Sequence, residues 1–433
     1  MPKRSAATDT IRIPTDMQIY TVGGAVRDSL LGLPVKDRDF VVVGATPEQM
    51  VALGYTPVGK DFPVFLHPQT HDEYALARTE RKTAPGYRGF VFHADGAVTL
   101  EQDLARRDLT INAMALAVDG AVVDPFGGQS DLTRRIFRHV SDAFAEDPVR
   151  ILRVARFAAR FTEFTVDPST NRLMQGMVAA GEVDALVPER VWQELARGLM
   201  EAQPSRMVNV LRECGALARL VPELDGVWLA PAVSAGTTAG TTTTAGTICL
   251  RSIDIAAQEE TSLAIRLALL LCPVAVAASS SELHANRSTQ LIDMISHRLK
   301  LPNDCRDLAL MMVREQAPIH RALELTAIDL VALVERCDGL RKPERFLDML
   351  QALDYVHRAE SDQPAPMPQR ALLATALAAA RAVDAGAIAG QLQHSPGLIP
   401  KQVRNARIKA VEQIIATLRA SDATHLFPGE TNT

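Results

Sequence analysis

Two textures of apolar spacing divide the chain. Between residues 17 and about 140, short apolar runs alternate with polar breaks, at 17–22, 39–43, 64–66, 74–77, 114–118 and 121–123. Their β-branched content, with Gly, Pro and Asp in the gaps, predicts the strands of a small mixed sheet with short helices between them. From Asp147 the spacing lengthens to three and four, as in Val149, Leu152, Val154, Ala155 and Phe157, and again in Val208, Val210, Leu211 and Leu217. That period predicts helices, and residues 251–418 read as all-helical. The expected fold class is therefore α+β. One stretch breaks the pattern. VSAGTTAGTTTTAGT at 233–247 cannot bury a core and reads as a flexible linker or surface loop. The expected division is an N-terminal extension (1–16), a head (17–140), a helical neck (141–225), a linker (226–250) and a helical body and tail (251–433) whose last dozen residues are polar.

Composition narrows the class. At 433 residues the chain is too long for one compact core, and 47% apolar with 22% charged residues is ordinary for a globular protein. A net charge of −5, from 46 basic and 51 acidic side chains, gives no global basic field, so nucleic-acid binding has to come from a local patch. The five cysteines form no CxxC pair, which argues against a zinc knuckle or a disulfide framework and for a reducing compartment. Lys3 and Arg4 are followed by no apolar stretch, unlike a signal peptide. The longest apolar run, 267–278, is too short to span a bilayer and contains Pro273. The expectation is a cytoplasmic monomer or homodimer with no membrane segment.

The chemistry concentrates in VGGAVRDSLLGLPVKDRDFVVV, residues 22–43. Asp37 and Asp39 enter an apolar run, and strand positions two apart point the same way, roughly 6–7 Å from each other. Carboxylates held that close repel, and a divalent cation with oxygen ligands, Mg²⁺ above all, removes the repulsion. Two solvated acids on a loop are the plain alternative. The preceding Gly23-Gly24 opens a helical segment, where backbone N–H groups cradle a phosphate, and Arg27 on its first turn can reach a triphosphate. A phosphate turn, an arginine and an acidic pair together describe a site for a Mg²⁺-nucleotide.

This stretch resembles the signature of the polymerase-β-like nucleotidyltransferases, specifically the class II CCA-adding tRNA nucleotidyltransferases. Later segments match in order: RRDLTINA at 106–113, DPFGG at 124–128, EDPVR at 146–150 and PERVW at 188–192. The resemblance implies a polymerase-β-like head followed by all-α neck, body and tail, and addition of CCA to the tRNA 3′ end from CTP and ATP. It implies that Asp37 and Asp39 are catalytic and hold Mg²⁺, that Gly24 and Arg27 bind phosphates, and that Arg107 adds positive charge near the nucleotide. Asp108 would accept a hydrogen bond from the ribose 2′-hydroxyl. Asp147 and Arg150 would present an acceptor and a donor to the amine and ring nitrogen shared by cytosine and adenine, and Arg153 and Arg156 would contact the triphosphate or the rest of the nucleotide. In residues alone, Asp147, Arg150, Arg153 and Arg156 recur every three positions and share one helix face. The resemblance implies that the region 74–82 and the Gly/Pro loop 83–89 form a mobile loop beside the active site, and a polar surface hairpin is the plain alternative.

One departure stands out. Some relatives carry a metal-dependent HD phosphohydrolase domain, but this chain has no His-Asp dipeptide, and IRLALLLCPVAV offers Cys272-Pro273 where it belongs. The domain is expected in outline only, without hydrolytic activity. Rival readings are a poly(A) polymerase, an enzyme adding only A or only CC, and a non-catalytic RNA-binding protein on the same scaffold.

Overall fold

The structure is a computed structural model, and it describes residues 17–58, 64–82, 90–93, 96–228, 244–273, 282–360 and 365–426. The N-terminal extension, the loop 83–89, most of the Thr/Gly stretch and residues 427–433 lie outside the described residues. The chain divides into two compact units, Met1–Val191 with Asn209–Leu220, and Trp192–Val208 with Val221–Thr433.

The first unit is built on a sheet of seven strands. In chain order the strands are β1 (Gln18–Val22), β2 (Asp39–Val43), β3 (Thr56–Val58), β4 (Val64–Leu66), β5 (Glu73–Leu76), β6 (Thr79–Lys82), β7 (Phe90–His93), β8 (Ala115–Ala117), β9 (Val122–Val123), β10 (Ile136–Phe137) and β11 (Thr165–Val166). The sheet order is β3-β4-β5-β2-β1-β8-β9, while β6-β7 and β10-β11 form separate pairs. β1 runs antiparallel to β2 and β8, and β2 runs parallel to β5. The run 40–43 is apolar throughout because both sheet faces are covered. Val42 packs with Met17, Met50, Phe65 and Leu76 on one face. Val41 packs with Val22, Leu104 and Ala115 on the other.

Helices α1 (Gly24–Leu30), α2 (Pro47–Ala52), α3 (Leu100–Ala105), α4 (Gly128–Arg134), α5 (Val149–Arg160) and α6 (Pro168–Ala179) complete this unit's frame. Thr46 and Thr99 cap α2 and α3 through capping boxes with Gln49 and Gln102. The DPFGG turn has a packing reason. Asp124 accepts the N–H groups of Gly128 and Gln129 at 2.7 and 2.9 Å, and a Cβ at Gly128 would lie 2.4 Å from the Thr110 carbonyl oxygen. α5 buries Ile151, Leu152, Val154, Ala155 and Phe157, and Phe157 joins Phe137, Phe161 and Phe164 in an aromatic cluster.

In the second unit the described residues from 244 onward are dominated by helices. Helix Ala245–Gln258 begins on a Thr244 cap, so the last residues of the Thr/Gly stretch are helical and not linker. Leu267, Ala268, Leu269, Leu270 and Leu271 are buried, as the apolar run predicts. Arg266, 3% exposed, donates to the carbonyls of Leu199, Glu201 and Ala257. Helix Ile399–Leu426 continues into the dozen residues expected to be a polar tail. One described helical stretch, Pro368–Gln391, is long and apolar enough to cross a membrane by composition. It is Ala-rich and breaks at Val383–Asp384, where Asp384 caps the next helix.

Candidate functional site

The acidic pair stands at the N-terminal end of β2, but only Asp39 is in the strand. The expectation of two carboxylates on one strand face is corrected here. Asp39 pairs with Val22 of β1 and with Glu73 of β5. The next residue of β1's chain is Gly23, whose φ of 71° turns the backbone away into α1, so Asp37 has no ladder partner on that side. Both carboxylates are exposed and unpaired among the described residues, and both line an open cavity of about 560 Å³ with Val35, Lys36, Arg38, His71, Asp72 and Glu73. Glu73 was not legible as a site residue, because only the β2–β5 register brings it beside Asp39.

On the β1 side lies the glycine turn. A Cβ at Gly23 would sit 3.0 Å from Arg107 Nη1, so the Arg107 guanidinium lies against the turn. Arg107 and Arg106 both pair with Asp103, at 3.2 and 2.7 Å. Burial opposes ionisation of Asp103, but the two guanidinium groups outweigh it and hold the carboxyl below the usual range.

Arg27 departs from expectation. It is 3% exposed and turns inward, donating through Nε to Asp28 Oδ1 at 2.8 Å and through Nη1 to Asn112 Oδ1 at 2.6 Å. Its guanidinium carbon lies 5.1 and 5.0 Å from the Phe157 and Phe161 ring centres. The cause is the packing of α1, which buries its residues 25–28. Arg27 therefore backs the glycine turn, 3.4 Å from where a Gly24 Cβ would be, instead of projecting over it.

The chain of bonds continues. Asn112 Nδ2 donates to Asp108 Oδ1 at 2.9 Å, and Arg153 Nε donates to Asp108 Oδ2 at 2.7 Å. Burial works against the Asp108 charge, yet Arg153 and Asn112 hold its carboxyl well below the ordinary range. Asn112 lies within RRDLTINA, but nothing local in the sequence marks it as the link between Arg27 and Asp108.

Asp147, Arg150 and Arg156 also differ from a simple helix face. Asp147 precedes α5, accepts the Val149 N–H at 3.1 Å and pairs with Arg190 at 2.8 Å. Arg190 belongs to α7 (Pro188–Leu199). Arg150 is 8% exposed and donates to the carbonyls of Ala143 and Arg106, both at 2.7 Å. Arg156 stands over Phe157 at 4.6 Å.

Comparison with known proteins decides the family. Residues 19–138 match a family described as "Poly A polymerase head domain", and residues 163–227 match "Probable RNA and SrmB- binding site of polymerase A". The multifunctional CCA protein of Herminiimonas arsenicoxydans is 59% identical over 406 residues, 91% of this chain and 97% of that one. That of Burkholderia pseudomallei is 58% identical over 412 residues, 92% and 99% of the two chains. The chain belongs to the multifunctional CCA protein family. Among solved structures, the Bacillus stearothermophilus CCA-adding enzyme in complex with CTP is 25% identical, with a TM-score of 0.59 and 94% of each chain covered. The Thermotoga maritima CCA-adding enzyme complexed with tRNA shares the fold at 20% identity, TM-score 0.61, covering 94% and 91%.

A multifunctional CCA protein thus has the expected fold class, a polymerase-β-like mixed-sheet head followed by helices. In this member Cys272, which stands in place of a hydrolytic His-Asp dipeptide, is buried, and burial pushes its thiol up to about 12. Two acids of the same region are committed to structural partners. Asp254 accepts from Ser205 N and Oγ, and Glu259 from Tyr355 and Arg358.

Proposed function

We infer that this protein adds the CCA sequence to the 3′ end of tRNA from CTP and ATP, releasing pyrophosphate. The observation that carries the reading is the pairing of Asp39 with Val22, which sets the acidic pair directly beside the glycine turn. Family membership supports CCA addition over poly(A) synthesis, since the curated relatives named here are CCA proteins across nearly their whole length.

The donor set fits Mg²⁺. Asp37 and Asp39 offer only oxygen donors on the wall of the open cavity. An ion there keeps positions for water and phosphate oxygens, as Mg²⁺ prefers. When bound, it supplies neutralisation of the triphosphate and a lower pKa for the attacking hydroxyl. Asp37 and Asp39 hold that charge in place. The Gly23–Gly24 backbone and Arg107 orient the phosphates, and Arg27 keeps the turn's shape from behind. Asp108, kept ionised by Arg153 and Asn112, accepts from the ribose. Asp147 and Arg150 select the base, each fixed by its own partners, while Arg153 and Arg156 line the nucleotide's path.

Product sizing tests this. A tRNA lacking its 3′ end should gain two residues with CTP alone and three with CTP plus ATP. A long A-tract, or A-only or CC-only addition, would replace this reading with one of its close relatives.

A further inference from the structure

Asp39 has two neighbours of different character. On one flank is Val22, leading into the glycine turn, and on the other is Glu73, preceded by the turn HPQTHD at 67–72. Adjacent strands lie about 4.8 Å apart, so the acidic pair sits between two turns and within reach of both. If the triphosphate occupies the glycine side, in-line displacement puts the attacking hydroxyl on the opposite side of the phosphorus. That opposite side is the β5 side, where the open cavity lies.

The β5-side turn is fastened by its own bonds. His67 N donates to Asp72 O and His71 N to His67 O, both at 3.0 Å, and His67 Nδ1 accepts from Gln69 N and Thr70 N. The His67 ring is anchored on Tyr55 and Tyr74, 5.3 and 5.7 Å between ring centres. His71 itself has φ 60°, a left-handed conformation that costs a non-glycine residue energy. Its imidazole takes part in none of these bonds and is exposed at the cavity wall. The turn therefore presents His71 without any packing use for it. Lys36 and Arg38, both exposed, alternate with the aspartates on the same wall and supply positive charge among four acids.

We propose that this wall, His71 with Lys36 and Arg38, is the binding site for the 3′-terminal nucleotide of the RNA acceptor. The imidazole donates a hydrogen bond to the terminal ribose or phosphodiester, and the two cations contact the phosphodiester, bringing the 3′-hydroxyl to the acidic pair from the side facing away from the triphosphate. The proposal rests on the phosphate assignment to the glycine turn.

His71→Gly and His71→Asn test it, since both residues accept the left-handed backbone and so preserve the turn. Each should raise KM for a tRNA lacking CCA by about fivefold or more, the worth of one lost hydrogen bond, while KM for CTP changes less than about twofold. A second readout needs no catalysis. A truncated tRNA ending in 4-thiouridine, irradiated on the full-length protein, should crosslink to the peptides holding residues 35–39 or 67–73, and less so in His71→Gly. An unchanged RNA KM with a raised CTP KM, or crosslinks confined to other peptides, would overturn the proposal. Failure of the wild type to add CCA would instead strike the functional reading, and the crosslink position would still decide this one.

Discussion

The guanidinium of Arg190 grips the carboxylate of Asp147, with Nη2 2.8 Å from Oδ2 and Nη1 3.4 Å from Oδ1. The PERVW stretch thus fixes the acceptor assigned to base selection. Replacing Asp147 or Arg150 should relax discrimination against UTP and GTP by roughly 10- to 100-fold, the worth of one lost polar contact at about 1–3 kcal/mol. Arg190→Gln should do the same more weakly. Steady-state rates with each of the four nucleotides check this, and an equal fall for all four would make the contacts merely structural.

In the proposed role Asp37→Ala and Asp39→Ala should each lower CTP and ATP incorporation below about a hundredth of wild type, as expected of groups that act on the transition state. Affinity for tRNA, measured by filter binding, should stay within a few fold. Near-normal extension by either variant would displace the assigned site.

Arg27→Leu leaves the buried Asp28 without one of its two cations and Asn112 without its donor. A loss of about 3–5 kcal/mol in urea unfolding is expected, the usual cost of breaking a buried pair from one side. A surface role for Arg27 would instead lower activity with stability intact.

Asp103→Asn has a pH signature. Despite burial, Arg106 and Arg107 hold the folded pKa of Asp103 below the unfolded value of about 3.9, so its stabilisation is present above about pH 4 and fades as pH falls through the folded value. The variant should be less stable than wild type at pH 7, and the gap should narrow as pH falls below about 4. A gap independent of pH would show that packing, not charge, is responsible.

Hydrolysis of 2′,3′-cyclic phosphates should be absent even with Ni²⁺ or Mn²⁺. A water-activating metal site needs converging imidazole and carboxylate ligands, and residues 227–296 contain a single histidine, His284. Metal-stimulated phosphate release by the pure protein, lost on changing His284, would reverse this.

The apolar run at 40–43 and the glycine turn could be read directly, because covered strands and tight turns leave local marks in the sequence. Asp37's place outside the strand could not, since it depends on where β1 ends opposite it. The inward turn of Arg27 depends on Asn112, 85 residues away, and on two phenylalanines of the α5 region. Likewise Asp147 reads as part of a helix face until Arg190, 43 residues on, is seen to hold it. Long-range pairing, not local propensity, decided each of these.

β1 is an interior strand, and one of its two partners, β8, is synthesised long after it. The N–H of Gly23 likewise finds its acceptor only in the Met114 carbonyl, 3.3 Å away. While the chain is still emerging from the ribosome, β1 therefore shows an open edge of unpaired backbone groups beside the glycine turn, and such edges recruit wrong partners. Only when Ala115–Ala117 has emerged does that edge close, and the nascent protein is most vulnerable to mispairing before then.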